Sequence, residues 1–186
     1  RAIYLDKKRR LSNNAAMELV RPSVKYKDSY LAAVREAQQE GRKAESDFKL
    51  AEKDFEQFVM ELNEHAEGKH MKEGYVPETV LWLVEEAEYI GRVSIRHRLN
   101  DHLLKLGGHI GYDIRPSMRK KGYGMLILQL ALPKAKELSI DRVLLTCDDC
   151  NIASRKIIEK NGGVLENQVP NPEGGPDKLR FWIEIP

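Results

Sequence analysis

The chain has 186 residues, 41% hydrophobic and 32% charged, with a formal net charge of +2. That length suits one domain with a sizeable core, and the composition excludes a disordered chain. The near balance of charge argues against a nucleic-acid partner, and the longest apolar run, Met125 to Leu132, is too short for a membrane span and carries Gln129.

The first sixteen residues, "RAIYLDKKRRLSNNAA", are basic and aperiodic, and they precede Met17. They are read as an upstream or non-native extension, leaving 17–186 as one domain. With two cysteines and no export signal in view, a cytoplasmic setting is expected.

A short strand is predicted at Glu18–Arg21, before Pro22. Tyr30, Leu31, Val34 and Ala37 repeat at helical spacing within Tyr26–Gly41, and a second amphipathic helix is predicted over Ser46–His65. From Thr79 the period shifts towards two, so "TVLWLVEE" and "YIGRVSIRHRL" are predicted as neighbouring strands. A longer connection, "NDHLLKLGG", leads to a strand in "HIGYDIRP". A helix follows over Tyr123–Leu138, then the strand "DRVLLTCD", the helix "NIASRKIIEKNGG", and two extended pieces flanking the loop Pro170–Asp177. This order predicts an α/β (α+β) layer architecture: one sheet, partly antiparallel, with helices packed on it.

The turn "RKKGYG", Arg119 to Gly124, joins a strand to a helix. Helix N-termini carry unpartnered N–H groups and partial positive charge, which suit a phosphate. Glycines let the backbone approach the anion, and Arg119, Lys120 and Lys121 add cations. A P-loop would need Lys-Ser/Thr after the last glycine, where Met125 and Leu126 stand, and a dinucleotide fingerprint would need glycine at Ile127. The remaining readings are a polyphosphate cradle or a plain tight turn.

Arg-x-x-Gly-x-Gly between strand and helix resembles the acyl-CoA-binding motif of the GNAT N-acetyltransferases, and "NIASRKIIEKNGG" resembles that family's Asn-led helix. The likeness is good over Thr79 to Pro186 and looser before it, and it is nearest to a group of bacterial predicted acetyltransferases. The resemblance implies a mostly antiparallel sheet splayed in the middle, with helices on both faces. It implies acetyl-CoA as cosubstrate, no metal, and a small-molecule or peptide amine as acceptor, with a homodimer as a further candidate partner. The amides of Lys121, Gly122, Tyr123 and Gly124 would hold the pyrophosphate, with Arg119 and Lys120 nearby. The pantetheine arm would lie beside Tyr112, Asp113 and Ile114. Asn151 and Ser154 would touch it from the next helix, and Arg155 or Lys156 would reach the ribose phosphate. The family often has a tyrosine seven residues after that asparagine, as the acid for the leaving thiolate; here the position is Ile158. The missing acid keeps open a second reading, an acyl-CoA-binding module without turnover.

Among other chemistry-bearing residues, "CDDC" at Cys147–Cys150 lacks the further ligands a zinc site needs, and Cys147 is expected as buried packing. His97, alternating with Val93 and Ile95, is expected as a satisfied core histidine. His109, sharing a strand face with Gly111 and Asp113, is the candidate catalytic base. The acceptor pocket is expected between Tyr26–His65 and the Asn100–Gly108 loop.

Overall fold

The computed structural model describes residues 17–41 and 48–186. The basic segment before Met17 and the start of the second predicted helix lie outside the described residues. After strand β1 (Glu18–Val20), helix α1 (Lys27–Gln39) forms where the helical period was read. The stretch read as one further helix is two, α2 (Phe48–Lys53) and α3 (Phe55–Glu64). The break is at Asp54, whose extended backbone (φ −145°) places its carboxylate to accept from Gln57 N–H at 3.0 Å as an N-cap. Apolar periodicity runs straight through such a cap, which is why pattern alone missed it.

Strands β2 (Glu78–Glu85) and β3 (Glu88–Arg96) form a hairpin, and β4 (Ile110–Ile114) follows the 100–108 connection. Helix α4 (Tyr123–Glu137), strand β5 (Arg142–Asp148), helix α5 (Ile152–Lys160) and strands β6 (Val164–Val169) and β7 (Lys178–Glu184) complete the order. Instead of one partly antiparallel sheet there are two, β1-β2-β3-β4 and β5-β7-β6, and every pairing within them is antiparallel. The splay separates β4 from β5.

Alternation along β2 sorts its side chains to two layers. Val80, Trp82 and Val84 pack with Tyr26, Tyr30, Phe55 and Phe58 of the N-terminal helices, and Tyr30 stacks on Trp82 with centroids 4.9 Å apart. Leu81 and Leu83 face the other way, into a core with Ile127 and Leu128 of α4, Ile158 of α5, and Val143, Leu145 and Phe181 of the second sheet. Both sheets therefore share one core although their strands do not pair across the splay. Helices cover both faces of the first sheet.

Candidate active site

The gap between β4 and β5 is closed at one end by His109 and Leu144. The N–H of His109 donates to Leu144 O at 2.7 Å, and Leu144 N–H donates to His109 Nδ1 at 2.9 Å. Gly108 makes this approach feasible: it has φ +67°, and a Cβ there would stand 2.5 Å from Leu144 O. Beyond this root the strands part. The connection before β4 is tied to the second sheet by Thr146 Oγ1 donating to Leu106 O at 2.6 Å and Arg180 Nε donating to Leu104 O at 3.0 Å.

The bonds Arg96 N–H to His109 O and Arg115 N–H to Ile90 O set the parity of β4 against β3. In an antiparallel ladder, Gly111 and Asp113 then bond to β3, while the backbone groups of Ile110, Tyr112 and Ile114 point into the gap. Ile114 O accepts from Arg119 Nε at 3.1 Å. Across the gap, the Tyr112 hydroxyl lies 3.0 Å from Ser154 Oγ on α5. Burial, only partly offset by the Ser154 hydroxyl and reinforced by Cys147, raises the Tyr112 phenol above its ordinary pKa.

At the far end of β4, the chain turns into α4 through a tight turn with left-handed backbone. Lys120 (φ +61°) and Gly122 (φ +91°) are both left-handed, and Gly122 caps α4 without a side-chain bond. Among the described residues, the N–H groups of Lys120, Lys121, Gly122 and Gly124 donate to no acceptor. Successive free amides in such a turn, at a helix N-terminus, form a concave nest for a phosphate.

The predicted site residues therefore divide. Tyr112, Ile114, the Lys120–Gly124 turn and Ser154 gather around the gap and its mouth. Arg119 is committed to protein: Nη1 donates to Glu40 Oε2 at 2.7 Å, and Nη2 lies 3.9 Å from Asp113 Oδ1. Asp113 is exposed, on the face away from Tyr112. Asn151 caps α5, its Oδ1 accepting from Ser154 N–H at 3.0 Å. Arg155 is paired with Glu159 at 2.8 Å, and Lys156 is exposed.

His109 is corrected as candidate base. It is 9% exposed, precedes β4, and its Nδ1 lone pair is taken by Leu144 N–H, so the other ring nitrogen carries the proton of the neutral form. Burial first, and then the charge of Arg96, lowers its pKa. No lone pair remains to receive a substrate proton. His97 also differs from expectation: β3 ends at Arg96, and His97 is half-buried outside the core, with Nε2 2.9 Å from Thr79 Oγ1. Cys147 is buried as expected, its thiol pushed up to about 11 by burial and by Asp148, while Cys150 is exposed.

On the face of the first sheet that carries the N-terminal helices, a cleft of about 620 Å³ opens between α3, β2–β3 and the 100–108 connection. Its walls include parts of the two segments expected around an acceptor, together with residues 70–76, which that expectation left out. Arg92, Ser94 and Arg96 of β3 line it, with Glu78 of β2 and His65 beside α3. Arg96 Nη1 donates to Gly107 O and Gly108 O, both at 3.1 Å, and lies 3.6 Å from where a Gly111 Cβ would be. The cleft thus reaches β4 from the side opposite Tyr112. Burial raises the Glu78 carboxyl pKa, but His65, Arg92 and Arg96 outweigh it and leave it below the ordinary value. His65 Nδ1 is 3.8 Å from Glu78 Oε1 and has no hydrogen-bond partner. Sequence reasoning passed over this polar group. Its trace was the alternation of Arg92, Ser94 and Arg96 within an otherwise apolar strand.

The profile of the "Acetyltransferase (GNAT) domain" family matches residues 21–164, more than half of the chain, and the protein belongs to that family of acetyltransferases. The fold has solved relatives. A microcin C7 self-immunity acetyltransferase, in complex with acetyl-CoA and AMP, is 17% identical with a TM-score of 0.63, covering 91% of this chain and 92% of its own. A Salmonella typhimurium acetyltransferase that modifies the N-terminal serine of a 50S ribosomal subunit protein is 18% identical, with a TM-score of 0.63 and coverage of 91% and 95%. A ribosomal-protein-S5-alanine acetyltransferase from Vibrio fischeri is 16% identical, with a TM-score of 0.65 and coverage of 91% and 92%. Among curated proteins no match is found. Among the described residues no group of three or more His, Cys, Asp or Glu is placed to hold a metal ion, and no helix is long and apolar enough to cross a membrane.

Proposed function

We propose that the chain moves an acetyl group from acetyl-CoA to a primary amine by direct attack, with both substrates bound at once. The observation that carries this reading is the double exposure of β4: its free edge faces the gap, and its Gly111 face meets the cleft. A donor in the gap and an acceptor in the cleft would meet across one strand.

The residues fit the cosubstrate. The free amides of Lys120, Lys121, Gly122 and Gly124 would take the pyrophosphate, with Lys120 and Lys121 adding charge. The N–H and C=O of Tyr112 would pair with the amides of the pantetheine arm, as an added strand does. Acetyl-CoA supplies the thioester that activates the acetyl group. The chain supplies orientation, a backbone N–H aimed into the gap for developing carbonyl charge, and Glu78 to receive an ammonium group in the cleft. One relative is named for the N-terminal serine of a ribosomal protein, another for an alanine of one, and a third is in complex with acetyl-CoA and AMP. Those names support an acceptor that is either a peptide N-terminus or a small amine.

Acetyl-CoA should stabilise the protein by about 2.7 kcal/mol at a hundredfold excess over Kd. Gly122→Glu should remove that stabilisation, because it puts a carboxylate into the cradle. Unchanged acetyl-CoA affinity in a folded Gly122→Glu protein would refute the cradle. The competing reading, a binding module, is favoured by the buried Ile158 where an acid would stand. Release of free CoA in the presence of an amine panel separates the two.

A further inference from the structure

With Ile158 at the position where the family often has its acid, this chain leaves the departing sulfur without an obvious proton donor. A thiol has a pKa of about 8.5, so at neutral pH the departing sulfur gains from a proton delivered as the bond breaks. Ile158, fully buried in the shared core, has none to give. Four other groups stand around the gap. Thr146 already donates to Leu106 O. His109 is fixed at the closed end by Leu144, with its ring beside Trp182 at 6.3 Å. Cys147 is a weak donor in an apolar setting. Asp113 is an exposed acceptor near Arg119. The fifth group is different.

Resting on the acetyltransferase reading above, we infer that Tyr112 is the proton donor to the departing CoA sulfur, and that Ser154 resupplies it. The backbone of Tyr112 faces the gap, and its side chain crosses the same gap to Ser154. In a Tyr–Ser hydroxyl pair only one O–H lies between the oxygens. When Ser154 donates to Tyr112 Oη, the phenolic proton is free to be given elsewhere. The raised pKa of the half-buried phenol keeps that proton in place through the neutral range. Ser154 sits in the first turn of α5 and is half-buried, within reach of solvent.

The step balances. The amine nitrogen bonds to the acetyl carbon, and the C–S electron pair goes to sulfur. Sulfur takes the Tyr112 proton, Tyr112 oxygen takes the Ser154 proton, and Ser154 is reprotonated by water. The ammonium form of the acceptor releases two protons to water in all; one offsets this return and one remains in solution. The products are amide and free thiol.

The test uses Tyr112→Phe and Ser154→Ala in the full chain. The first readout needs no turnover: the ionisation of the thiol in bound CoA, followed by thiolate absorbance against pH. Loss of the phenol should raise that pKa by about one unit, a tenfold change, because the donor to the thiolate is gone. The Kd for acetyl-CoA, which has no ionisable sulfur, should stay within about twofold, since phenylalanine keeps the ring. Turnover should fall by about 10² or more in Tyr112→Phe, and by less in Ser154→Ala, where water can substitute. Unchanged thiol ionisation in Tyr112→Phe overturns the inference, as does equal weakening of CoA and acetyl-CoA, which would mean a structural tyrosine. If the unaltered protein binds no acetyl-CoA, the acetyltransferase reading falls and this one with it. If it binds and the tyrosine is silent, only this one falls.

Discussion

His109 and Leu144 exchange two hydrogen bonds, one through the His109 backbone and one through its imidazole, and this pair closes the root of the gap between β4 and β5. Replacing His109 by alanine leaves the buried Leu144 N–H without its acceptor, a loss of about 1–3 kcal/mol. Thermal or urea denaturation at pH 8 should show it, with any change in turnover following stability. The pH dependence has a definite sign. A histidine whose folded pKa is lowered binds its proton more readily when unfolded. Its contribution is therefore full above about pH 6.5 and declines as pH falls through that value. The slope of stability against pH between 7 and 5 should flatten in His109→Ala. Part of it should persist, because burial and Arg21 also lower His97.

Gly124 has a packing role apart from its proposed place in the cradle. A Cβ at Gly124 would lie 2.6 Å from Ile157 Cδ1, where α4 meets α5. Gly124→Ala should cost about 1 kcal/mol by overpacking, modest because a flexible side-chain end is what must move. Adding Ile157→Ala should reverse the sign of the alanine's effect at 124 in a double-mutant cycle. Strict additivity of the two changes would show that they do not meet.

Arg115, just past the end of β4, ties α1 and β3 together: it donates to Glu36 Oε1 at 2.8 Å, to Ser29 Oγ at 3.2 Å and to Glu88 Oε2 at 3.1 Å. Glu36 also accepts from Ser117 N–H at 3.1 Å, fastening α1 to the turn before the cradle. Burial raises the Glu36 pKa, but Arg115 and Ser117 outweigh it and leave it lowered. The stabilisation is present above the ordinary carboxylate pKa and is lost as pH falls through the lowered one. Glu36→Gln should cost about 1–3 kcal/mol at pH 7 and make the protein less sensitive to acid. Acid titration of the two proteins by circular dichroism checks both effects.

Glu78 should matter for the acceptor and not for the donor. Glu78→Gln should raise KM for an amine about tenfold, the loss of one charge-assisted contact, while leaving acetyl-CoA affinity unchanged. Its lowered pKa keeps the carboxylate charged throughout the neutral range, so the effect should be constant from pH 6 to 8. Steady-state kinetics with each substrate varied in turn gives the answer. An equal effect on both substrates would move the acceptor elsewhere.

Sequence signals read well where the physics is local. The helical period placed α1 and α4, and the positive-φ requirement at Gly122 was visible as a glycine between strand and helix. The same local view erred wherever a partner came from far along the chain. His109 looked free because Leu144 is 35 residues away. Arg119 looked available to a phosphate because Glu40, its partner, is 79 residues distant. Tyr112 and Ser154 are 42 residues apart, and strand periodicity carries no hint that their hydroxyls meet. The division into two sheets entered only through the splayed sheet that the family resemblance implies, not through the residues of any one strand. It depends on which strands fail to pair, and alternation describes each strand alone.

The parity of β4 has a consequence for amide hydrogen exchange. Gly111 and Asp113 have their N–H groups in the ladder with β3, whereas the N–H of Tyr112 points into the gap. Neighbouring amides of a single strand should therefore exchange at very different rates in the free protein, slow, fast, slow. A ligand that lies along the gap as an added strand would slow Tyr112 and leave Gly111 and Asp113 nearly unchanged. A ligand confined to the cradle would slow Lys120 to Gly124 and leave Tyr112 fast. The strand thus keeps a residue-by-residue record of how far into the gap a bound molecule reaches, readable before any acceptor is known.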